Sequence, residues 1–171
     1  QILNFKMISY SIKEGLNGNP VIPGDKSISH RSIIIPSISN GVCEINNILK
    51  SEDVLHTLNA FKSMGVQIKE KERKITVFGK GLNSLKEPKE SIYLGNSGTS
   101  ARLLTGLLSS QPFRSILKGD ESLSKRPMKR ISDPLSKMNA RINTTNGSLP
   151  LEIEGSKLIP SEIELQIPSA Q

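Results

Sequence analysis

The 171-residue chain uses one construction twice and begins it a third time. In Val21-Ile22-Pro23-Gly24-Asp25-Lys26-Ser27-Ile28-Ser29-His30-Arg31 an apolar stretch runs into a glycine turn, hydroxyl residues and an arginine one turn into a helical pattern. Leu94-Gly95-Asn96-Ser97-Gly98-Thr99-Ser100-Ala101-Arg102-Leu103 repeats this after Ile92 and Tyr93, and Ile163-Glu164-Leu165-Gln166-Ile167-Pro168-Ser169-Ala170-Gln171 opens it again and stops. A recurrence at roughly seventy residues means a repeated supersecondary unit, which restricts the fold more than any single segment does.

The middle copy has a definite chemistry. Gly95 and Gly98 permit close backbone approach, Ser97 or Thr99 can cap, and the free N–H groups of the helix start then face a ligand space suited to an anion. Taken alone, the decapeptide fits an ordinary capped strand-to-helix turn equally well.

Around these turns the periodicity predicts short strands at 5–12 and 19–23, then a helix at 27–39. Ile28, Ile33, Ile34, Ile35 and Ile38 form the expected buried side of that helix, with a kink or early end at Pro36. Residues 42–46 extend, and Ser51-Glu52-Asp53 opens a second helix whose Val54, Leu55, Leu58, Phe61 and Met64 fall at helical spacing before Gly65. Residues 66–70 and 74–78 alternate as a hairpin turning at Lys71-Glu72-Arg73. The second round predicts helix 99–109, strand 114–118, helix 128–138 and strands 141–145 and 151–154 around Asn146-Gly147. The helix exits match residue by residue, Phe61-Lys62-Ser63-Met64-Gly65-Val66-Gln67-Ile68 with Leu135-Ser136-Lys137-Met138-Asn139-Ala140-Arg141-Ile142. Each unit therefore reads β-α-β-α-β-β.

Composition narrows the function classes. Lys and Arg number 23 against 16 Asp and Glu, a formal +7, yet aromatic residues are only 4% and no dense basic block suits a nucleic acid. Scattered positive charge with a denser patch at 118–130 fits a cleft for a small, multiply charged ligand. No apolar run approaches the roughly 20 residues that span a bilayer, and the start lacks a signal pattern, so a cytoplasmic setting is expected. The single Cys43 reads as a packed thiol, and His30 and His56 as satisfied surface or helix-face residues. Because the chain opens on Gln1, a fragment or processed product is expected.

The two units differ where chemistry is expected. Gly119-Asp120-Glu121-Ser122-Leu123-Ser124-Lys125-Arg126-Pro127-Met128 stands where the first unit has Lys50-Ser51-Glu52-Asp53. Arg126, held extended before Pro127 at a helix edge, is placed to clamp a phosphate or carboxylate in bidentate fashion. A cation at a helix N-terminus is disfavoured unless an anion lies between them. Asp25 and Asp120 sit in the turns, where capping is the expected role.

The segment from Pro23 to Arg31, the segment Leu94-Gly95-Asn96-Ser97-Gly98-Thr99 through Arg102, and Gly119-Asp120 through Arg126-Pro127-Met128 together resemble the signatures of the 3-phosphoshikimate 1-carboxyvinyltransferases, the EPSP synthases. The resemblance runs from about Lys6 to Gln171 and covers the N-terminal part of the family's usual chain. It implies an α/β (α+β) fold of repeated β-α-β-α-β-β units with buried helices, an inside-out α/β barrel domain left incomplete here. Residues 1–22 would pair with a second domain. Residues 23–171 would form the first, with units at 23–90 and 91–156 and a third begun near 161.

The resemblance further implies transfer of an enolpyruvyl group from phosphoenolpyruvate to the 5-hydroxyl of shikimate 3-phosphate, in the shikimate pathway, by a monomer with no cofactor, metal, membrane or nucleic-acid partner. By motif, Lys26 contacts both substrates and is catalytic, Ser27 and Arg31 bind the shikimate phosphate, and Asn96, Gly98 and Arg126 form the phosphoenolpyruvate side. Ser169 and Gln171 match the segment that touches the shikimate phosphate and both ligands, respectively. The general acid and base are carboxylates of the half beyond this chain. Two other readings stay open: the sister transferase acting on UDP-N-acetylglucosamine, which typically has Lys-Asn where this chain has Lys26-Ser27 and carries a reactive loop cysteine, and a non-catalytic anion-binding domain.

Overall fold

The computed structural model describes residues 15, 17–71 and 74–164. In chain order the elements are α1 (Lys26–Ser37), β1 (Asn40–Asn46), α2 (Glu52–Ser63), β2 (Gln67–Lys71), β3 (Lys74–Lys80), β4 (Ile92–Tyr93), α3 (Gly98–Leu108), β5 (Arg114–Lys118), α4 (Glu121–Ser124), α5 (Lys129–Lys137), β6 (Arg141–Thr145) and β7 (Ser148–Glu154). One sheet has the order β1-β3-β2 and the other β4-β5-β7-β6. Within β1-β3-β2 and β5-β7-β6 every pairing is antiparallel and the connectivity is the same, so the second sheet is the first with β4 added in parallel beside β5.

The repeat extends to individual hydrogen bonds. Val66 N–H donates to Phe61 C=O at 3.0 Å, and Ala140 N–H to Leu135 C=O at 2.9 Å. Lys86 N–H donates to Met64 C=O and Ile159 N–H to Met138 C=O, both at 2.9 Å. Gly65 (φ 86°) and Asn139 (φ 72°) take the left-handed conformation that closes each helix, one free of a Cβ and the other the side chain that best tolerates it. Asn146 (φ 53°) and Gly147 (φ 78°) both turn left-handed between β6 and β7, as a two-residue hairpin turn matching strand twist requires.

Alternation along the strands directs one face of each sheet inward: Ile75 and Val77 from β3, and Leu149, Leu151 and Ile153 from β7, are buried. They pack with Val54, Leu58 and Phe61 of α2 and Ala101, Leu104 and Leu108 of α3 in one continuous core. The helices thus line the inside and the sheets do not close around them. Among the described residues no helix is long and apolar enough to cross a membrane.

Several expectations need correction. Residues 19–23 form no strand, Val21 and Ile22 lie exposed, and among the described residues none pairs with them. In α1 the buried face is Ser29, His30, Ile33 and Ser37, whereas Ile28 and Ile35 are 60% and 56% exposed. The small hydroxyl side lets α1 approach α2 and β3 closely, each serine hydroxyl returning to a helix carbonyl: Ser29 to Asp25 at 2.7 Å and Ser37 to Ile33 at 2.6 Å. The helix ends at Ser37, one residue past Pro36. The segment 119–128, read as a loop, contains the one-turn α4. The strand expected at 5–12, the turn residues 72 and 73, and Ser169 and Gln171 lie outside the described residues.

Candidate functional site

Two helix starts, each with its own cap, hold the residues singled out by the motifs. Asp25 Oδ1 accepts from Ile28 N–H at 2.7 Å, which makes Lys26 the first helical residue of α1. Ser27 and Arg31, four residues apart, share an exposed face of that first turn. The Lys26 ammonium is ion-paired with Asp53 in the first turn of α2, the lysine half exposed and the carboxylate largely covered. At α3, Ser97 Oγ accepts from Ser100 N–H at 3.2 Å and Gly98 is the first helical residue. Of the two residues that could cap, Ser97 does.

The strand order explains how Arg126 reaches this second start. β4 and β5 run parallel and adjacent, so the turns leaving their C-terminal ends, at Gly95 and Gly119, emerge side by side, the place where α/β sheets present ligand sites. Asp120 N–H donates to Gly95 C=O at 2.9 Å, and Asp120 Oδ1 caps α4 by accepting from Leu123 N–H at 2.7 Å. Arg126 N–H closes the same turn on Leu123 C=O at 3.0 Å. The Arg126 guanidinium then hydrogen-bonds Asn96 Oδ1 across the gap.

Arg102 meets Arg126 over Gly98. Its Nη1 donates to Gly98 C=O at 3.3 Å, and a Cβ on Gly98 would lie 2.9 Å from Arg102 Nη1 and 3.1 Å from Arg126 Nη1. Arg102 Nε is a buried donor with no partner among the described residues. Two guanidinium groups and the positive end of a helix dipole repel one another, so the arrangement is favourable when an anion occupies the space between them.

A buried polar chain connects the two starts. His30 Nδ1 lies 2.8 Å from Thr57 Oγ1, Thr57 Oγ1 lies 2.6 Å from Ser100 Oγ, and Ser100 Oγ lies 2.6 Å from Ser97 Oγ. His30 is therefore not a surface histidine but fully enclosed. Burial pulls its pKa below the usual 6.5, with Asp53 opposing and Lys26 reinforcing the shift. His56, also read as a surface or helix-face residue, is half-buried, packs edge-on to Tyr93 with centroids 5.4 Å apart and lies against Gly95.

The lowered His30 pKa has a testable sign. Below 6.5 the unfolded chain takes up a proton that the native imidazole resists, so stability is complete above 6.5 and falls with pH toward the native pKa. The melting midpoint is expected to drop between pH 7 and pH 5, and by less in His30→Asn, where the amide keeps a partner for Thr57 without titrating. Equal slopes in both proteins would remove His30 from the account.

Of the motif residues, the structure brings Asn96, Gly98 and Arg126 together, and Lys26, Ser27 and Arg31 together at the start of α1. Asp53, Thr57 and Ser100 were not singled out, and Arg102 was noted only for its place one turn into the helix. A signal for two of them was present: Lys26 and His30 on α1, and Asp53 and Thr57 on α2, are matched pairs at i, i+4.

Paired cation-bearing turns at the ends of parallel strands, on duplicated units with helices inside, define an α/β repeat domain whose turns present positive charge. The family model for EPSP synthase (3-phosphoshikimate 1-carboxyvinyltransferase) matches residues 11–171, and the chain belongs to that family. It is 52% identical over 157 residues to a 3-phosphoshikimate 1-carboxyvinyltransferase of Ruthia magnifica subsp. Calyptogena magnifica, covering 91% of this chain and 36% of that protein. A Geobacter sp. (strain M21) protein of the same name is 49% identical over 169 residues, 96% of this chain and 39% of its own. The structure of EPSP synthase from Acinetobacter baumannii superposes with a TM-score of 0.86 at 47% identity, over 90% of this chain and 36% of that one. The chain thus spans 36% to 39% of the length of these relatives.

Proposed function

We propose that this chain supplies one half of a site that transfers the enolpyruvyl group of phosphoenolpyruvate to the 5-hydroxyl of shikimate 3-phosphate. The observation that carries this reading is the meeting of Asn96, Arg102 and Arg126 over the start of α3, braced to the Lys26 end of α1. Ser27, Arg31 and Lys26 hold the shikimate phosphate, with Ser169 and Gln171 joining them, and Gln171 reaching phosphoenolpyruvate as well. Asn96, Gly98, Arg126 and Lys26 hold phosphoenolpyruvate. Addition of the hydroxyl oxygen to the central carbon, its own proton passing to a general base while a general acid protonates the methylene to a methyl, gives a tetrahedral intermediate. Loss of a proton from that methyl, with cleavage of the C–O bond to phosphate, restores the double bond and releases phosphate. The positive groups offset charge on the phosphate as its bond breaks.

The general acid and base belong to a second domain, with which residues 1–22 pair, and residues 23–171 form the first domain. Exposed Ile28, Ile35, Leu103 and Ile159 are surface for a third unit, begun near 161, and for that domain to cover. The whole protein is a cytoplasmic monomer that needs no cofactor.

Titration calorimetry at low and high salt tests the reading. The 171-residue chain is expected to bind shikimate 3-phosphate, more weakly as salt rises because an open half-site leaves its charges screened, and to release no phosphate with both substrates present. Absence of binding at low salt overturns the reading, and sustained phosphate release dependent on both substrates would show that the acid and base are misplaced.

A further inference from the structure

None of His30, Thr57, Ser100 and Ser97 is among the residues proposed above to hold either ligand. All four residues are at most 1% exposed, and a buried polar run is tolerated only when its members satisfy one another. An apolar set of the same shape would serve packing alone, since replacing both partners of a buried hydrogen bond by matched apolar groups is nearly neutral. Three of the four also sit beside or one turn from a residue at the site. His30 lies one turn after Lys26, Thr57 one turn after Asp53 and donating to its carbonyl at 3.4 Å, and Ser97 caps α3 between Asn96 and Gly98.

The geometry allows little independent movement. Thr57 and Ser100 have one hydroxyl proton each, and both oxygens lie between two polar neighbours of the chain. With the Thr57 proton on Asp53 C=O, its oxygen accepts from Ser100 and from His30 Nδ1, so rotating the Ser97 cap off Ser100 changes what Thr57 accepts and hence how His30 is held. Among the described residues His30 Nε2 is enclosed without a partner, and the contact that orients the ring is that of Nδ1 with Thr57.

We propose that His30, Thr57 and Ser100 are positioning residues that lock the starts of α1, α2 and α3 into one register, so that occupancy at the Lys26 end is transmitted to the backbone of Gly98 and Thr99. This rests on the reading of the two half-sites given above. Coupling runs through a contiguous set of hydrogen bonds with Thr57 at its centre.

The test is an NMR titration of the 171-residue chain with shikimate 3-phosphate, following backbone amides at 26–31 and 98–100, in the parent, Thr57→Val and Thr57→Ser. In the parent both groups of amides shift with one binding curve. Thr57→Val keeps the shifts at 26–31 but reduces those at 98–100 at least about fivefold, while Thr57→Ser, which restores the hydroxyl, stays within about twofold of the parent. Should Thr57→Val not fold, Ser100→Ala carries the same expectation, since alanine is favourable within α3. Undiminished shifts at 98–100 in Thr57→Val, or none there in a parent that responds at 26–31, overturn the relay alone. A parent that responds at neither end overturns the proposed function and the relay with it.

Discussion

Replacing Lys26 with methionine is expected to remove about three orders of magnitude of kcat, the scale on which a single positive group at a developing oxyanion acts. The setting is a chimera in which residues 17–164 replace the matching segment of the Acinetobacter baumannii EPSP synthase. The fold should be nearly untouched, because an ion pair whose lysine is half exposed contributes at most about 1 kcal/mol. The consequence for binding is larger than the loss of one charge. Asp53, largely covered and paired with Lys26, is left as an uncompensated carboxylate facing two incoming anions. Adding Asp53→Asn removes that repulsion, so the double variant should regain affinity for shikimate 3-phosphate without regaining kcat. Steady-state kinetics on the single and double variants separate the two effects. A single variant within about threefold of the parent rate would end the catalytic assignment of Lys26.

The parts of the fold that were legible are those that follow from local chemistry. Gly65 and Asn139 end their helices because each tolerates a left-handed backbone, and Asn146-Gly147 turns its hairpin for the same reason; no tertiary information is needed. Asp25 and Asp120 cap because short carboxylates accept from N–H groups three residues on. The failures occur where a neighbour decides. Val21 and Ile22 have strand character but no pairing partner among the described residues, whereas Ile92 and Tyr93 have β5 beside them. In α1 most of the isoleucines form the more apolar stripe, but Ser29, His30, Ile33 and Ser37 are the buried face, since the serine hydroxyls are satisfied on carbonyls of their own segment and His30 meets Thr57 of α2.

The site divides along the same line. Asn96 and Arg126 could be paired from their motifs, because each lies in a turn following a strand and the two strands prove adjacent. Asp53, Thr57 and Ser100 look like ordinary helix polar residues in the chain. Their significance arises only when three helix starts converge, a fact of packing that no single periodicity contains.

The duplicated fold makes a second strong prediction, at a glycine that carries no chemistry. Gly79 and Gly155 end the equivalent strands β3 and β7, and neither needs a left-handed backbone. What both require is room. A Cβ on Gly79 would enter the carbonyl oxygens of Pro36 and Ser39, and one on Gly155 would enter the Gln111 carbonyl, 2.6 Å from its carbon and 3.1 Å from Phe113 C=O. These obstacles are backbone, so they cannot rotate away as a side chain would. Alanine at 155 must push β7 from the end of α3, against the bonds Gly155 N–H to Phe113 C=O at 3.1 Å and Ser156 N–H to Ser109 C=O at 3.0 Å. Overpacking plus two weakened, partly buried hydrogen bonds costs about 2–5 kcal/mol, a large share of the roughly 5–15 kcal/mol that holds a domain folded. Gly155→Ala is therefore expected to lower the melting midpoint by about 10 °C or more, or to abolish soluble expression. Gly106→Ala is the matched control, because nothing lies within 4 Å of its added methyl and alanine favours the helix. It should leave the midpoint unchanged or raise it. A Gly155→Ala protein melting within about 2 °C of the parent would mean that β7 and α3 do not approach as closely as described.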